Sequence, residues 1–389
     1  MKSVYRRDFF AIIRFGAALP GMADGSFFDE PTEASIKKHR IVSKYFGGWA
    51  NIILPQTLTR EGKIMYVDLF CGPGRYRDGT ASTPLLVLDH VINSPKLRGV
   101  TQLLFNDENA DFVEALKSEV AKAPGVETLR YCPAFRTESI GHDIIARIER
   151  ITVPTLFFAD PWGYAGVSLD LIETAIRHWG SDFLFFFNYN RINMNLGCEA
   201  MNEPINEFFS TSRAERLRTL VASLRPAQRE EAILKEMQSA IKDLGARVGK
   251  FTYRSRSGTR TTHHLICVSK HREGMALFKE ISAKESTSFD GVVPSLEYDP
   301  SANPNQSTLF SGLEPLEEDL LVTFAGRVLS PEEIYHDHHA GKPYILRNYR
   351  QALLHLEETG AVSIDPPRAS RAVGERLPPD ARVTFKRTS

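Results

Sequence analysis

A chain of 389 residues, 42% hydrophobic and 25% charged, has the composition of an ordinary globular protein and can hold one large core plus a smaller module. Its 48 Lys and Arg balance 48 Asp and Glu, which excludes a global electrostatic grip on nucleic acid or membrane and leaves only local patches. No apolar run reaches membrane-spanning length, and Cys71, Cys132, Cys198 and Cys267 show no C-x-x-C or paired spacing. This pattern argues against disulfides and a cysteine metal site and favours a reduced, cytoplasmic setting.

Residues 1–32 read as an N-terminal extension. Arg6-Arg7-Asp8-Phe9-Phe10 and the apolar residues after it resemble a twin-arginine signal, but Arg14 interrupts the apolar region. From Glu33 to about Leu54, the residues Ile41, Val42, Tyr45, Phe46, Trp49, Ile52 and Ile53 recur at helical spacing. Lys37, Lys38, His39 and Arg40 crowd the start of that helix and read first as a solvated basic turn, with ligand contact by Lys38 as the lesser alternative.

After Lys63, Ile64 to Val67 is an apolar run of strand length that ends on Asp68 and enters a glycine turn, Phe70-Cys71-Gly72-Pro73-Gly74. A parallel α/β sheet presents its first strand to a nucleoside ligand in this way. A dinucleotide fingerprint needs a third glycine where Arg77 stands. Asp-x-x-x-Gly-x-Gly with the acid on the strand instead resembles the first motif of S-adenosylmethionine (SAM)-dependent methyltransferases, whose cofactor carries an ammonium and no phosphate. Asp68, Phe70, Gly72 and Gly74 are therefore candidate cofactor-binding residues.

Ser82-Thr83-Pro84-Leu85 begins a helix with proline in its first turn. A second strand, Thr101 to Asn106, ends in Asp107, the candidate for the ribose hydroxyls; the alternative is a helix cap for Ala110 to Val120. A third strand is expected at Val126 to Tyr131, with no acid after it, then a helix at Gly141 to Arg150. The fourth and fifth strands, Thr155 to Ala159 and Asp182 to Phe187, are continuously apolar, as interior parallel strands should be. The fourth ends in Asp160-Pro161-Trp162-Gly163. Helices are expected around Leu169 to His178 and in a polar insertion, Glu199 to about Leu244. Arg247 to Arg254 and Thr261 to Ser269 then form an antiparallel hairpin. Five β/α strands followed by an antiparallel pair give the expected fold class: α/β, a class I methyltransferase-like (Rossmann-like) mostly parallel sheet with an antiparallel last strand, spanning 33–290.

Residues 291–315 read as a linker rich in Pro, Ser and Asn. Residues 316–389 hold helices at Leu316 to Phe324, after the capping box Ser330-Pro331-Glu332-Glu333, and at Tyr344 to Thr359. A hairpin of Val362-Ser363-Ile364 with Arg382 to Phe385 completes a pattern that resembles a winged helix. Lys342, Arg347 and Arg350 fall along its recognition helix, and Arg368, Arg371 and Arg376 in its wing.

Asp160, Pro161 and Trp162 are the candidate catalytic residues, because amino-group methyltransferases of nucleic acids carry Asp/Asn/Ser-Pro-Pro-aromatic at this strand end. There the polar group accepts from the target amino group and the aromatic ring stacks on an extruded base. Here the aromatic arrives one position early. His336, His338 and His339, and the pair His263-His264, do not read as metal sites, since alternation sends the last two to opposite faces.

Lys38-His39, Trp49, Asp68 to Tyr76, Phe158 to Gly163 and His264 to His271 together resemble the three-Cys-motif partner protein family over roughly residues 33 to 290 with the trailing module. That resemblance implies a methyltransferase-like fold and a functional link to a cysteine-motif, radical-SAM-like partner protein. Trp162, where the family tends to have phenylalanine, and the long leader depart from it. Two functions follow: a SAM-dependent methyltransferase acting on a base amino group of DNA or RNA, or a methyltransferase-like binding module without chemistry that delivers the partner to nucleic acid. Methylation of protein or a small molecule leaves the basic tail unexplained.

Overall fold

A computed structural model of the chain describes residues 30–161, 166–198, 202–302, 312–371, 377–378 and 380–387. Its main sheet is built from β1 (Ile64–Asp68), β2 (Thr101–Asn106), β3 (Ala134–Arg136), β4 (Thr155–Ala159), β5 (Asp182–Phe187), β6 (Arg247–Arg254) and β7 (Thr261–Ser269). A short hairpin, β8 (Phe289–Asp290) with β9 (Val293–Pro294), precedes β10 (Glu297–Tyr298), which joins the edge of the sheet. The strand order is β10-β6-β7-β5-β4-β1-β2-β3, with β7 antiparallel to both β5 and β6 and the remaining pairings parallel. This is the Rossmann-like sheet of a class I methyltransferase, with one strand added at the edge.

The interior strands are buried on both faces, which is why β4 and β5 carry no polar alternation. One apolar layer packs the helices Glu33–Thr57, Thr83–Ile92, Ala110–Ala121 and Arg272–Glu285 against the sheet. The other packs His142–Ile148, Leu169–Ala175 and the helices of the insertion, Tyr189–Asn195 to Pro226–Asp243. The first helix is capped by Thr32, whose hydroxyl accepts from Ser35 N–H at 3.1 Å. Ile41, Val42, Tyr45, Phe46 and Trp49 are buried as the spacing predicts, whereas Ile52 is exposed and Ile53 continues the buried face.

The third strand lies later than the sequence pattern predicts. Val126–Thr128 is a 3-10 turn that follows Gly125 at φ 87°, and the three-residue β3 comes at Ala134–Arg136. An acid, Glu138, therefore does follow it, but its carboxylate faces Arg147 at 3.3 Å.

In the C-terminal module, helices Glu314–Thr323, Pro331–His338 and Leu346–Glu358 pack on a small antiparallel sheet of β11 (Val328–Leu329), β12 (Val362–Asp365) and β13 (Arg382–Phe385), ordered β11-β13-β12. Both halves of the expected capping box form: Ser330 Oγ accepts from Glu333 N–H at 3.2 Å, and Glu333 accepts from Ser330 N–H at 2.7 Å. Three helices with this strand set form a winged helix. The module is tied to the main domain by Lys279, whose ammonium donates to the carbonyls of His339 (2.6 Å) and Lys342 (2.8 Å). Burial pulls that ammonium down to about 7. Asn348 also donates to the Val292 carbonyl at 2.9 Å.

The expected basic face of this module is largely neutralised. Lys342 precedes the helix Leu346–Glu358 and pairs with Asp319, Arg350 pairs with Glu332, and Arg368 and Arg371 pair with Glu358 and Glu357. Arg347 is exposed, and Arg376 lies outside the described residues.

Candidate active site

The strand order reverses between β1 and β4, and at such a switch point an open α/β sheet forms its ligand crevice outside the carboxyl ends of the strands. A cavity of about 470 Å³ lies there, within the usual range for small-molecule sites. Asp68, Phe70 and Gly72 line it from the β1 turn, and Phe158, Asp160 and Pro161 line it from β4. Phe186 comes from β5, Asn188 and Arg191 from the cap and first turn of the helix Tyr189–Asn195, and Tyr253 and His263 from β6 and β7. Lys38 and His39 close it from the first helix.

Asp68 is fully buried and accepts from Tyr66 O–H at 3.1 Å and Phe70 N–H at 3.2 Å. Among the described residues no cation pairs with it. Burial pushes its carboxyl up to about 8, overriding the lowering effect of the two hydrogen bonds, with Asp160 and Asp107 raising it further. A cationic ligand group would relieve this buried acid.

The turn places its two glycines differently. Gly72 has φ 61° and lines the cavity, whereas Gly74 has φ 86° and packs on the helix Ala110–Ala121. A Cβ on Gly74 would lie 2.6 Å from Leu116 Cδ1, so its smallness serves turn-to-helix packing. Asp107 is buried and does not line the cavity. One carboxylate oxygen accepts from Gly72 N–H at 3.0 Å and the other from Asn109 N–H at 3.0 Å. The helix cap is Asn109, whose side chain accepts from Asp111 N–H and Phe112 N–H.

On the opposite side, Lys38 Nζ donates to Asp160 Oδ2 at 2.5 Å. Burial pulls the ammonium down, but Asp160, with Tyr76 and Asp68 adding, leaves it above its ordinary value. The basic turn at the helix start is thus not all solvated: Lys38 is buried against the cavity. His39 bridges Thr83 (2.7 Å) and Tyr76 (2.9 Å), and burial keeps its imidazole well below the usual range, hence neutral.

His263 and His264 face opposite sides, as alternation predicts. His263 lines the cavity, and burial pulls its imidazole down to about 4. His264 contacts Thr252 and Glu230 instead. Among the described residues no cluster of His, Cys, Asp and Glu could hold a metal ion. Trp162 lies outside the described residues.

Phe186, Tyr253, His263, Asn188 and Arg191 are cavity residues that no sequence motif marks. Phe186, Tyr253 and His263 look like ordinary strand residues until the pairing of β5, β6 and β7 brings them together, and Asn188 and Arg191 look like an ordinary helix start.

A family profile described as GMT-like wHTH domain matches residues 297–369. No curated protein matches the chain. Among solved structures, magnesium protoporphyrin IX methyltransferase (ChlM) from Synechocystis PCC 6803 with bound SAM is 10% identical, covering 69% of this chain and 100% of its own, with a TM-score of 0.31. An rRNA methylase from Streptococcus thermophilus is 10% identical over 62% of this chain and 99% of its own, with a TM-score of 0.30. A SAM-dependent methyltransferase from Aquifex aeolicus is 12% identical over 63% and 97%, with a TM-score of 0.28. The assignment of the fold rests on the strand order and directions rather than on these likenesses.

Proposed function

We propose that the chain is a SAM-dependent methyltransferase whose acceptor is an amino group of a nucleic-acid base. The observation that carries this reading is that two acids, Asp68 and Asp160, end the two strands flanking the switch point and line one cavity. The residues fit the cofactor in kind. Asp68 is a buried carboxyl without a paired cation among the described residues, suited to the ammonium, and Phe70 and Gly72 complete that side. Gly74 and Asp107 act on the cofactor side by shaping the turn. The cofactor would supply an electrophilic methyl carbon.

On the acceptor side, Asp160 would accept a hydrogen bond from the target amino group and raise electron density on its nitrogen. Pro161 fixes the turn that presents this carboxylate. Lys38 holds one carboxylate oxygen in place and keeps the other available. The stacking role expected for Trp162 belongs to the same proposal. The winged helix would bring nucleic acid to the cavity, and the resemblance to three-Cys-motif partner proteins supports a cysteine-motif, radical-SAM-like partner. A cytoplasmic location is part of this proposal; no helix among the described residues is long and apolar enough to cross a membrane.

The second reading, a binding module without chemistry, is favoured by one observation: the Asp160 carboxylate already accepts from Lys38. Transfer of a labelled methyl group to bulk DNA and RNA separates the two. Transfer that disappears in Asp160→Ala supports catalysis, and no transfer to any of these acceptors supports the binding module.

A further inference from the structure

Tyr253 is 1% exposed, and its hydroxyl finds no hydrogen-bond partner among the described residues although it belongs to the cavity wall. A buried hydroxyl without a partner is unfavourable, and phenylalanine would fill the same space without that cost. The surroundings indicate what the hydroxyl awaits. In the β6–β7 register Tyr253 lies opposite His263, and in the β5–β7 register Phe186 lies opposite Leu265, two residues further along β7. Strand alternation therefore puts Phe186, Tyr253 and His263 on one face, whereas His264 turns to the other.

The Phe186 ring lies 5.2 Å from that of Tyr253 and 5.4 Å from that of His263, centroid to centroid. The Lys38 ammonium sits 4.9 Å from the Phe186 centroid, so this aromatic wall adjoins the Lys38–Asp160 pair.

We infer that Phe186, Tyr253 and His263 form the acceptor subsite of the cavity, shaped for a planar heteroaromatic ring, with the Tyr253 hydroxyl as the group that selects its hydrogen-bonding edge. The inference rests on the methyltransferase reading above and deepens it. A cavity wall of three aromatic rings favours a planar aromatic ligand over a branched aliphatic one. A hydroxyl that both donates and accepts suits a ring edge with alternating nitrogens and amino or carbonyl groups. A nucleobase has that chemistry. Burial keeps the His263 imidazole neutral at physiological pH, so it adds a ring and not a charge.

The test uses the full chain with adenosine, cytidine, guanosine and uridine as probes, by saturation-transfer NMR, with and without saturating S-adenosylhomocysteine. The inference expects base protons of at least one amino-bearing nucleoside to receive saturation. In Tyr253→Phe that nucleoside binds roughly three- to tenfold more weakly, while S-adenosylhomocysteine affinity and thermal midpoint do not fall. Absence of base contact under both conditions overturns the subsite, as does unchanged nucleoside affinity in Tyr253→Phe. A weakened S-adenosylhomocysteine affinity in that variant overturns it too, because the hydroxyl would then belong to the cofactor side. Failure of the wild-type chain to bind S-adenosylhomocysteine counts against the methyltransferase reading, separately from base contact measured without it.

Discussion

Lys38 and Asp160, 122 positions apart in sequence, meet at 2.5 Å and join the first helix to the end of β4 across the cavity. The lysine side chain is 5% exposed and the aspartate 24%, so the pair is partly shielded from water. Removing one partner strands the other, which costs more than removing both. A double-mutant cycle of Lys38→Met and Asp160→Asn in urea unfolding should give a coupling of about 1–3 kcal/mol. Since Asp160 holds Lys38 above the ordinary lysine value of 10.5, the lysine's contribution is present at neutral pH and is lost as pH rises beyond that value. Additive single effects at pH 7 would show that the pair does not hold the site together.

Asp68 should trade stability for binding. Its carboxyl is raised from 3.8 to about 8 in the folded chain, so between these values the unfolded chain ionises while the folded one stays protonated. That penalty is absent below about pH 4 and grows as pH rises toward 8. Asp68→Asn should therefore be more stable than wild type at pH 7.5, with the difference shrinking toward pH 4. Unfolding midpoints across this range check it; a difference independent of pH would remove Asp68 as the cause.

Gly74→Ala should destabilise the fold by about 1–3 kcal/mol, because the new Cβ meets Leu116 and the residue must keep a positive φ. Calorimetric unfolding reads this directly. A neutral effect would mean that the turn and the helix Ala110–Ala121 separate freely.

On the winged helix, Arg350 is committed to Glu332, whereas Arg347 is exposed. Arg347→Ala should weaken nucleic-acid binding and lower the slope of log affinity against log salt by about one. Arg350→Ala should chiefly lower stability. The reverse pattern would place the nucleic-acid contact elsewhere.

Much of the sheet is legible in the sequence because strands buried on both faces leave unbroken apolar runs, as in Thr155 to Ala159 and Asp182 to Phe187. The edge is not: β3 has three residues, none fully buried, while Val126 and Leu129 supply the apolar signal from a turn. Asp68 and Asp160 are visible as acids that end strands. Lys38 looks like one of four basic residues at a helix start, since the carboxylate that justifies its burial lies far along the chain. Tyr253 and Phe186 look like core, because only strand pairing reveals a cavity-lining tyrosine whose hydroxyl has no partner among the described residues.

The most direct measurement is calorimetric titration of SAM into the full chain and into Asp68→Asn at pH 7.5. One-to-one binding to the wild-type chain, weakened at least tenfold in the variant, is the predicted result. No binding to the wild-type chain, or equal affinity in both, would contradict the assignment of this crevice to a cationic nucleoside.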